Sequence, residues 1–219
     1  GKFITNSISS ILNQSVQPLE IIVIDDASTD GSVPIVEKLI EEFPSVRLIR
    51  NKKNKGVVHG MNLGTMEAEG DIILYRAADD HLMPDSLSAA QEVFAQEPDA
   101  AIAFGETIFF QDEPSRGTKE TLALSEKTRF FEKNELLKHW IPDFNLPSSA
   151  CFVRKKAVLS VGGFKDEAKW HSDWLCFTTI ALRNGLSFIP RPITGLRLNP
   201  QSYGNSKLMN QASQKAVLR

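Results

Sequence analysis

Cysteine is scarce in this chain: Cys151 and Cys176 are the only two among 219 residues. They stand in apolar surroundings and at no metal-ligand spacing, which excludes a cysteine-held metal centre and a multi-disulfide framework. They read as free buried thiols of a reducing compartment, with a single disulfide as the alternative. An excess of one charge is missing as well. Lys and Arg number 25 against 27 Asp and Glu, a formal net charge of −2. That balance argues against nucleic acid or an anionic membrane as the main partner. No apolar run approaches the ~18 residues of a membrane span, and no secretory leader is visible. Internal repeats, linkers and low-complexity tracts are absent. Neither GxxxxGK[ST] nor GxGxxG occurs, so a bound diphosphate would have no glycine cradle to rest on.

What is there is an ordinary globular composition, 42% hydrophobic and 24% charged. The length suits one full core or two small lobes sharing a cleft. Ile4, Ile8, Ile11 and Leu12 keep helical spacing, so 3–14 reads as an amphipathic helix. "LEIIVID" (19–25) is a strand buried on both faces. Further helices are expected over 33–43, weakly over 56–68, over 84–96, over 132–140 and from Asp173 to Asn184, closed by Gly185. Further strands are expected at 46–50, 71–75 and 100–105 and in "LSFIP". This alternation predicts an α/β fold with a mostly parallel sheet flanked by helices. After Gly105 the rhythm breaks, and the polar stretch up to about 131 reads as an excursion or flexible loop.

Chemistry is expected at the carboxyl ends of the strands. Two runs lead into adjacent acids there, "IIVID" into Asp25-Asp26 and "DIILYRAA" into Asp79-Asp80. Paired like charges repel, and burial raises the cost. A hard divalent cation, Mg²⁺ or Mn²⁺, resolves this, since it takes one or two carboxylates and fills its other positions with phosphate oxygens and water. Turn hydrogen bonds are the plainer role for Asp25 and Asp26, and capping is the plainer role for Asp79 and Asp80. Asp173, at the start of a helix, is placed to act as a general base, with an N-cap as its plainer role. The clusters Lys52, Lys53, Lys55 and Arg154, Lys155, Lys156 read as solvated faces, and His59, His81 and His139 match no ligand spacing.

Three ordered segments carry a resemblance over about residues 1–200: "GKFITNSISSILNQSVQPLEIIVIDDASTDGS", "NKGVVHGMNLGTMEAEGDIILYRAADDHLMPDSL" and "HSDWLCFTTIALRNGLSFIPRP". The chain resembles the family 2 glycosyltransferases, inverting enzymes of the GT-A fold that use nucleotide-diphosphate sugars. The resemblance implies a single domain with a nucleotide-sugar half (about 1–110), an acceptor half (about 111–200) and a C-terminal tail (201–219). The family's usual first strand would lie upstream of Gly1. It implies that Asp26 bonds the donor base, commonly uracil, with Asp25 beside it. Asp79 would lie near ribose or metal, Asp80 on the metal, and Asp173 would be the base. Arg197 falls where a loop can close over the diphosphate, and bidentate phosphate contact suits Arg. Trp170, His171 and Trp174 flank the base as an acceptor platform, core packing being the alternative for Trp174. The partners implied are a UDP-sugar and a glycan, lipid-linked or other hydroxyl acceptor. The expected location is the cytoplasm, extending to peripheral association with the inner membrane face, as in capsule or O-antigen synthesis. Three positions depart from the pattern: Ala77 replaces the first acid, Met61 an Arg, and Ser172 the acid before the base. They keep open a non-catalytic nucleotide-sugar-binding module and, further off, a nucleotidyltransferase.

Overall fold

The computed structural model describes residues 1–120, 123–139 and 146–199. The expected C-terminal tail and the end of the 132–140 helix lie outside the described residues. The chain opens with α1 (Ile4–Leu12), β1 (Ile21–Asp25), α2 (Ser32–Glu42), β2 (Val46–Arg50) and α3 (Val57–Glu67), each where its apolar spacing placed it. Next come β3 (Ile72–Leu74), a short β4 (His81–Leu82), α4 (Ser86–Gln96) and β5 (Ile102–Phe110). The middle of the chain holds β6 (Thr118–Glu120), β7 (Arg129–Phe131) and α5 (Lys133–His139). Finally β8 (Cys151–Arg154), α6 (Lys155–Ser160), α7 (Ser172–Asn184) and β9 (Leu186–Arg197) follow.

The α/β architecture stands, but the sheet is mixed rather than mostly parallel. β1 and β2 pair in parallel as a separate ribbon. The larger sheet runs β3-β8-β5-β9-β4, with β6 added to β5 and β7 to β9. Within it only β5 and β9 are parallel; the other described pairs are antiparallel. The reason is topological. β8 arrives after the long polar excursion and inserts between β3 and β5 in the reverse direction. An apolar run buried on both faces reports burial, not strand direction. The excursion itself is partly ordered: β5 continues past Gly105 to Phe110, and β6 and β7 lie within it.

Packing on this sheet fixes where the acids sit. Tyr75, at the end of β3, meets Phe164 edge-on (centroids 5.0 Å, 76°) and Phe177 of α7 at 5.9 Å, and Phe164 meets Phe177 at 5.8 Å and 84°. The Tyr75 hydroxyl pairs with Thr65 Oγ1 of α3 at 2.6 Å. Such aromatic pairs add about 0.5–1.5 kcal/mol each beyond the area they bury. The cluster therefore ties the β3 end, which leads to Asp79-Asp80, to the helix that carries Asp173. On the other side, Gln14 below α1 accepts from the first α4 amides, Ser86 N at 2.9 Å and Leu87 N at 3.3 Å. It also donates to Met83 O at 2.8 Å, so Gln14 satisfies two of the orphan donors at the helix start and pins it to α1.

α7 ends at Gly185 in a left-handed conformation, φ 82° and ψ 179°, a region essentially reserved for glycine. A Cβ there would strike the Phe130 ring and lie 2.6 Å from Phe131 O. Gly185→Ala is expected to cost about 2–3 kcal/mol, read as a lower urea midpoint with an unchanged slope. An unchanged midpoint would contradict this reading of the turn.

Candidate active site

Asp79 and Asp80 do not end a strand; they occupy the turn between β3 and β4. Asp80 is 5% exposed, and its Oδ1 accepts the Arg197 amide at 3.3 Å. Burial pushes its carboxyl up to about 6; the Arg76 charge opposes that, while the neighbouring Asp79 adds to it. The side chain of Ser149 also favours the charged form. Asp79 is half-buried. Its carboxylate makes no hydrogen bond or ion pair with the described residues.

Two guanidiniums surround the pair. Arg197, at the end of β9, is sandwiched between the rings of Phe3 (4.3 Å) and Phe110 (4.5 Å). Its Nε donates to Asp79 O at 3.2 Å and its Nη1 to the carbonyls of Gln111 and Asp112. Arg76, two residues past β3, went unread in the sequence. Its Nη1 donates to Thr194 Oγ1 at 3.0 Å and, weakly, to Ser149 O at 3.5 Å. Its Nε and Nη2 are buried with no partner. A cation inside the otherwise apolar "IILY" approach was the available signal.

Asp173 is the second residue of α7, not its cap. Burial raises its pKa; the Trp174 amide, bonded at 2.8 Å, and the side chain of Ser148 oppose the shift. A raised carboxyl pKa suits a proton acceptor working near neutrality. Trp170, His171 and Trp174 form a run of ring contacts, 5.4 Å between the first two and 6.4 Å between the last two. Trp170 Nε1 and the Ser172 hydroxyl are buried there without a partner. Trp174 is 37% exposed, so it is not a core residue. Sequence reasoning also missed Ser148 and Ser149, which form a 3₁₀ turn before β8. The first acts on Asp173 and the second on Asp80. Two consecutive residues, about 3.8 Å apart at Cα, thus favour the charged forms of both acids.

Asp25 and Asp26 sit apart from this cluster and share no hydrogen bond with it among the described residues. Asp25 is buried, accepts Ser28 N at 3.1 Å and faces Arg50 at 4.0 Å, the turn-holding role that was its alternative. Asp26 accepts Asn51 Nδ2 at 3.0 Å, Lys55 N at 2.9 Å and Gly56 N at 2.7 Å. Burial works against its charged form, but these donors hold its pKa below the usual value. Arg154 and Lys155 correct the solvated-face reading. They are half-buried; Arg154 donates to Ala100 O and Pro98 O, and Lys155 to Ala68 O.

Residues 1–161 match the model of Glycosyl transferase family 2. The chain belongs to this family. Its members generally use a divalent cation. An uncharacterized glycosyltransferase of Haemophilus influenzae is 38% identical over 85 residues, 39% of this chain and 34% of that protein. Chondroitin synthase of Escherichia coli is 31% identical over 104 residues, 48% of this chain and 15% of that one. The chain therefore spans about a third or less of these family members. Among solved structures, S. aureus TarS 1–349 in complex with UDP-GlcNAc superposes with a TM-score of 0.75 at 19% identity, covering 94% of this chain and 57% of TarS 1–349. The same TarS segment with UDP gives 0.73. This likeness establishes the GT-A fold. No helix among the described residues is long and apolar enough to cross a membrane.

The donor set sets limits on a cation. No group of three or more His, Cys, Asp or Glu among the described residues could hold a metal ion by itself. Asp79 offers one uncommitted carboxylate, which fits a hard cation completed by diphosphate oxygens and water. Asp80 is the group whose titration reports the site. In the folded chain it holds its proton up to about pH 6 and in the unfolded chain only to about 3.8, so stability falls as pH rises through that window. Asp80→Asn is expected to raise stability at pH 8 by about 2–3 kcal/mol and to change it little at pH 4. Urea unfolding at the two pH values measures it, and equal stabilities at pH 8 would contradict the buried-charge reading.

Proposed function

We propose that this chain is the catalytic domain of an inverting glycosyltransferase. It moves a sugar from a nucleotide diphosphate, a UDP-sugar in our reading, to a hydroxyl acceptor by direct displacement. The observation that supports the reading is the Ser148-Ser149 step, whose consecutive side chains act on the half-buried, proton-attracting Asp173 and on Asp80. Single displacement needs such a pair of acidic stations, one beside the leaving diphosphate and one beside the attacking hydroxyl.

Asp79 would hold Mg²⁺ or Mn²⁺, and the bound cation would neutralise charge on the departing diphosphate. Asp80 stands behind it and fixes the turn through the Arg197 amide. With Nε and Nη1 bonded to the Asp79, Gln111 and Asp112 carbonyls, Arg197 acts first as a strut for the acid turn and keeps only Nη2 for a phosphate. On the base side, Asp26 organises residues 51–56, and Asp25 holds the turn beneath them. Asp173 takes the acceptor's proton, and Trp170, His171 and Trp174 present rings against which a sugar can stack. The buried, unspent donors Trp170 Nε1 and Ser172 Oγ would serve an acceptor once the platform opens. A glycan or lipid-linked acceptor at the inner membrane face fits the polysaccharide synthases among the relatives.

Calorimetric titration of the chain with UDP in the presence of Mn²⁺ tests the donor side. Saturable binding is expected; no binding with UDP, GDP and dTDP alike would overturn the proposal. For the base, Asp173→Asn is expected to slow transfer about 10³-fold while UDP affinity stays within about threefold. Transfer surviving in that variant would remove Asp173 from the role, and binding without turnover in the unaltered chain across an acceptor panel would point to a binding module.

A further inference from the structure

Arg76 is the group that the proposed chemistry leaves unused. It stands one residue before Ala77, where the family pattern would have its first acid, so this chain has lost a negative charge and carries a positive one beside it. The guanidinium is desolvated, and burial pushes its pKa down to about 10, with Asp80 pulling the other way. Only Nη1 is hydrogen-bonded, to Thr194 and Ser149, while Nε and Nη2 have no partner. Arg76 and Asp80 make no direct ion pair among the described residues, but the Thr194 hydroxyl that accepts from Arg76 Nη1 at 3.0 Å also reaches His81 O, next to Asp80, at 3.4 Å, and each charge acts on the other. A buried cation with unspent donors is costly. It is tolerable where it offsets another buried charge, and the buried charge nearby is Asp80.

We propose that Arg76 is a resident counter-ion for Asp80, so that a divalent cation faces the single free charge of Asp79 and binds well only together with a nucleotide diphosphate. The inference rests on the donor-site reading above. Its logic is the local charge balance. Asp79 and Asp80 carry two negative charges; Arg76 offsets one, and the Arg197 guanidinium, held on the Asp79 carbonyl, lowers the remainder further, so the site attracts a bare dication weakly. The same Arg76 charge attracts the diphosphate. In a partly desolvated site these Coulomb effects exceed those in bulk water. Arg76 is thus a positioning residue that sets the order and coupling of binding and touches neither ligand.

The test uses Mn²⁺ alone, UDP alone and UDP with Mn²⁺, measured by calorimetry at pH 8. Arg76→Met is expected to tighten bare Mn²⁺ binding about tenfold or more and to weaken UDP alone several-fold, whereas Arg76→Lys behaves like the unaltered chain. A merely loosened site would weaken both ligands. Unchanged or weaker Mn²⁺ binding in Arg76→Met would overturn the inference. If Arg76→Met does not fold, the double variant Arg76→Met, Asp80→Asn removes both buried charges together. Its UDP·Mn²⁺ affinity is expected within about threefold of the unaltered chain, and its loss would mean that Asp80 holds the metal, overturning the inference. Failure of the unaltered chain to bind UDP with Mn²⁺ would instead overturn the donor-site reading.

Discussion

A carboxylate that is almost wholly buried must find its compensation within a few ångströms, and Asp80 is that carboxylate. Three groups supply it: the Arg197 amide, the Ser149 side chain and the Arg76 charge. They come from β9, the 148–150 turn and the segment after β3. Three remote stretches of chain are therefore drawn to one point by a single charge. The compensation is partial, since burial still wins and the carboxyl titrates high. Asp79, only half-buried, needs no such compensation.

The packing around this point explains how the Asp79-Asp80 turn is tied to the helix that carries Asp173. Tyr75, Phe164 and Phe177 clamp the β3 end to α7. β8 then passes between β3 and β5, and the turn that starts it supplies Ser148 to one acid and Ser149 to the other. Arg197 completes the arrangement at the far end of β9, wedged between Phe3 of the α1 entry and Phe110 of β5. A fork of five donors suits a phosphate, but β9 delivers the side chain to a place where main-chain carbonyls take Nε and Nη1.

Much of this was legible in the order of residues. Strand Val46–Arg50 and the helix closed by Gly185 came directly from apolar spacing and a glycine stop. The two acid pairs and Asp173 were visible as polar interruptions after apolar runs. Direction and partnership were not. Nothing in "SSACFVR" says that it will run antiparallel between two other strands, because inter-strand pairing is a long-range choice. That Asp26 also anchors the amides of Lys55 and Gly56 was not legible, because that contact is set by a loop about thirty residues away. Arg76 was overlooked because an arginine after a strand is usually a surface residue; only its burial beside Asp80 gives it meaning.

In the function we propose, the paired acids are unequal, with Asp80 spent on internal compensation and Asp79 free for a cation. Anomalous scattering from Mn²⁺ in crystals of the chain grown with UDP would test it most directly. The predicted map has the metal on the Asp79 carboxylate and the UDP phosphates, with Asp80 still accepting the Arg197 amide. A metal bridging both carboxylates, or UDP bound with the metal away from Asp79, would contradict it.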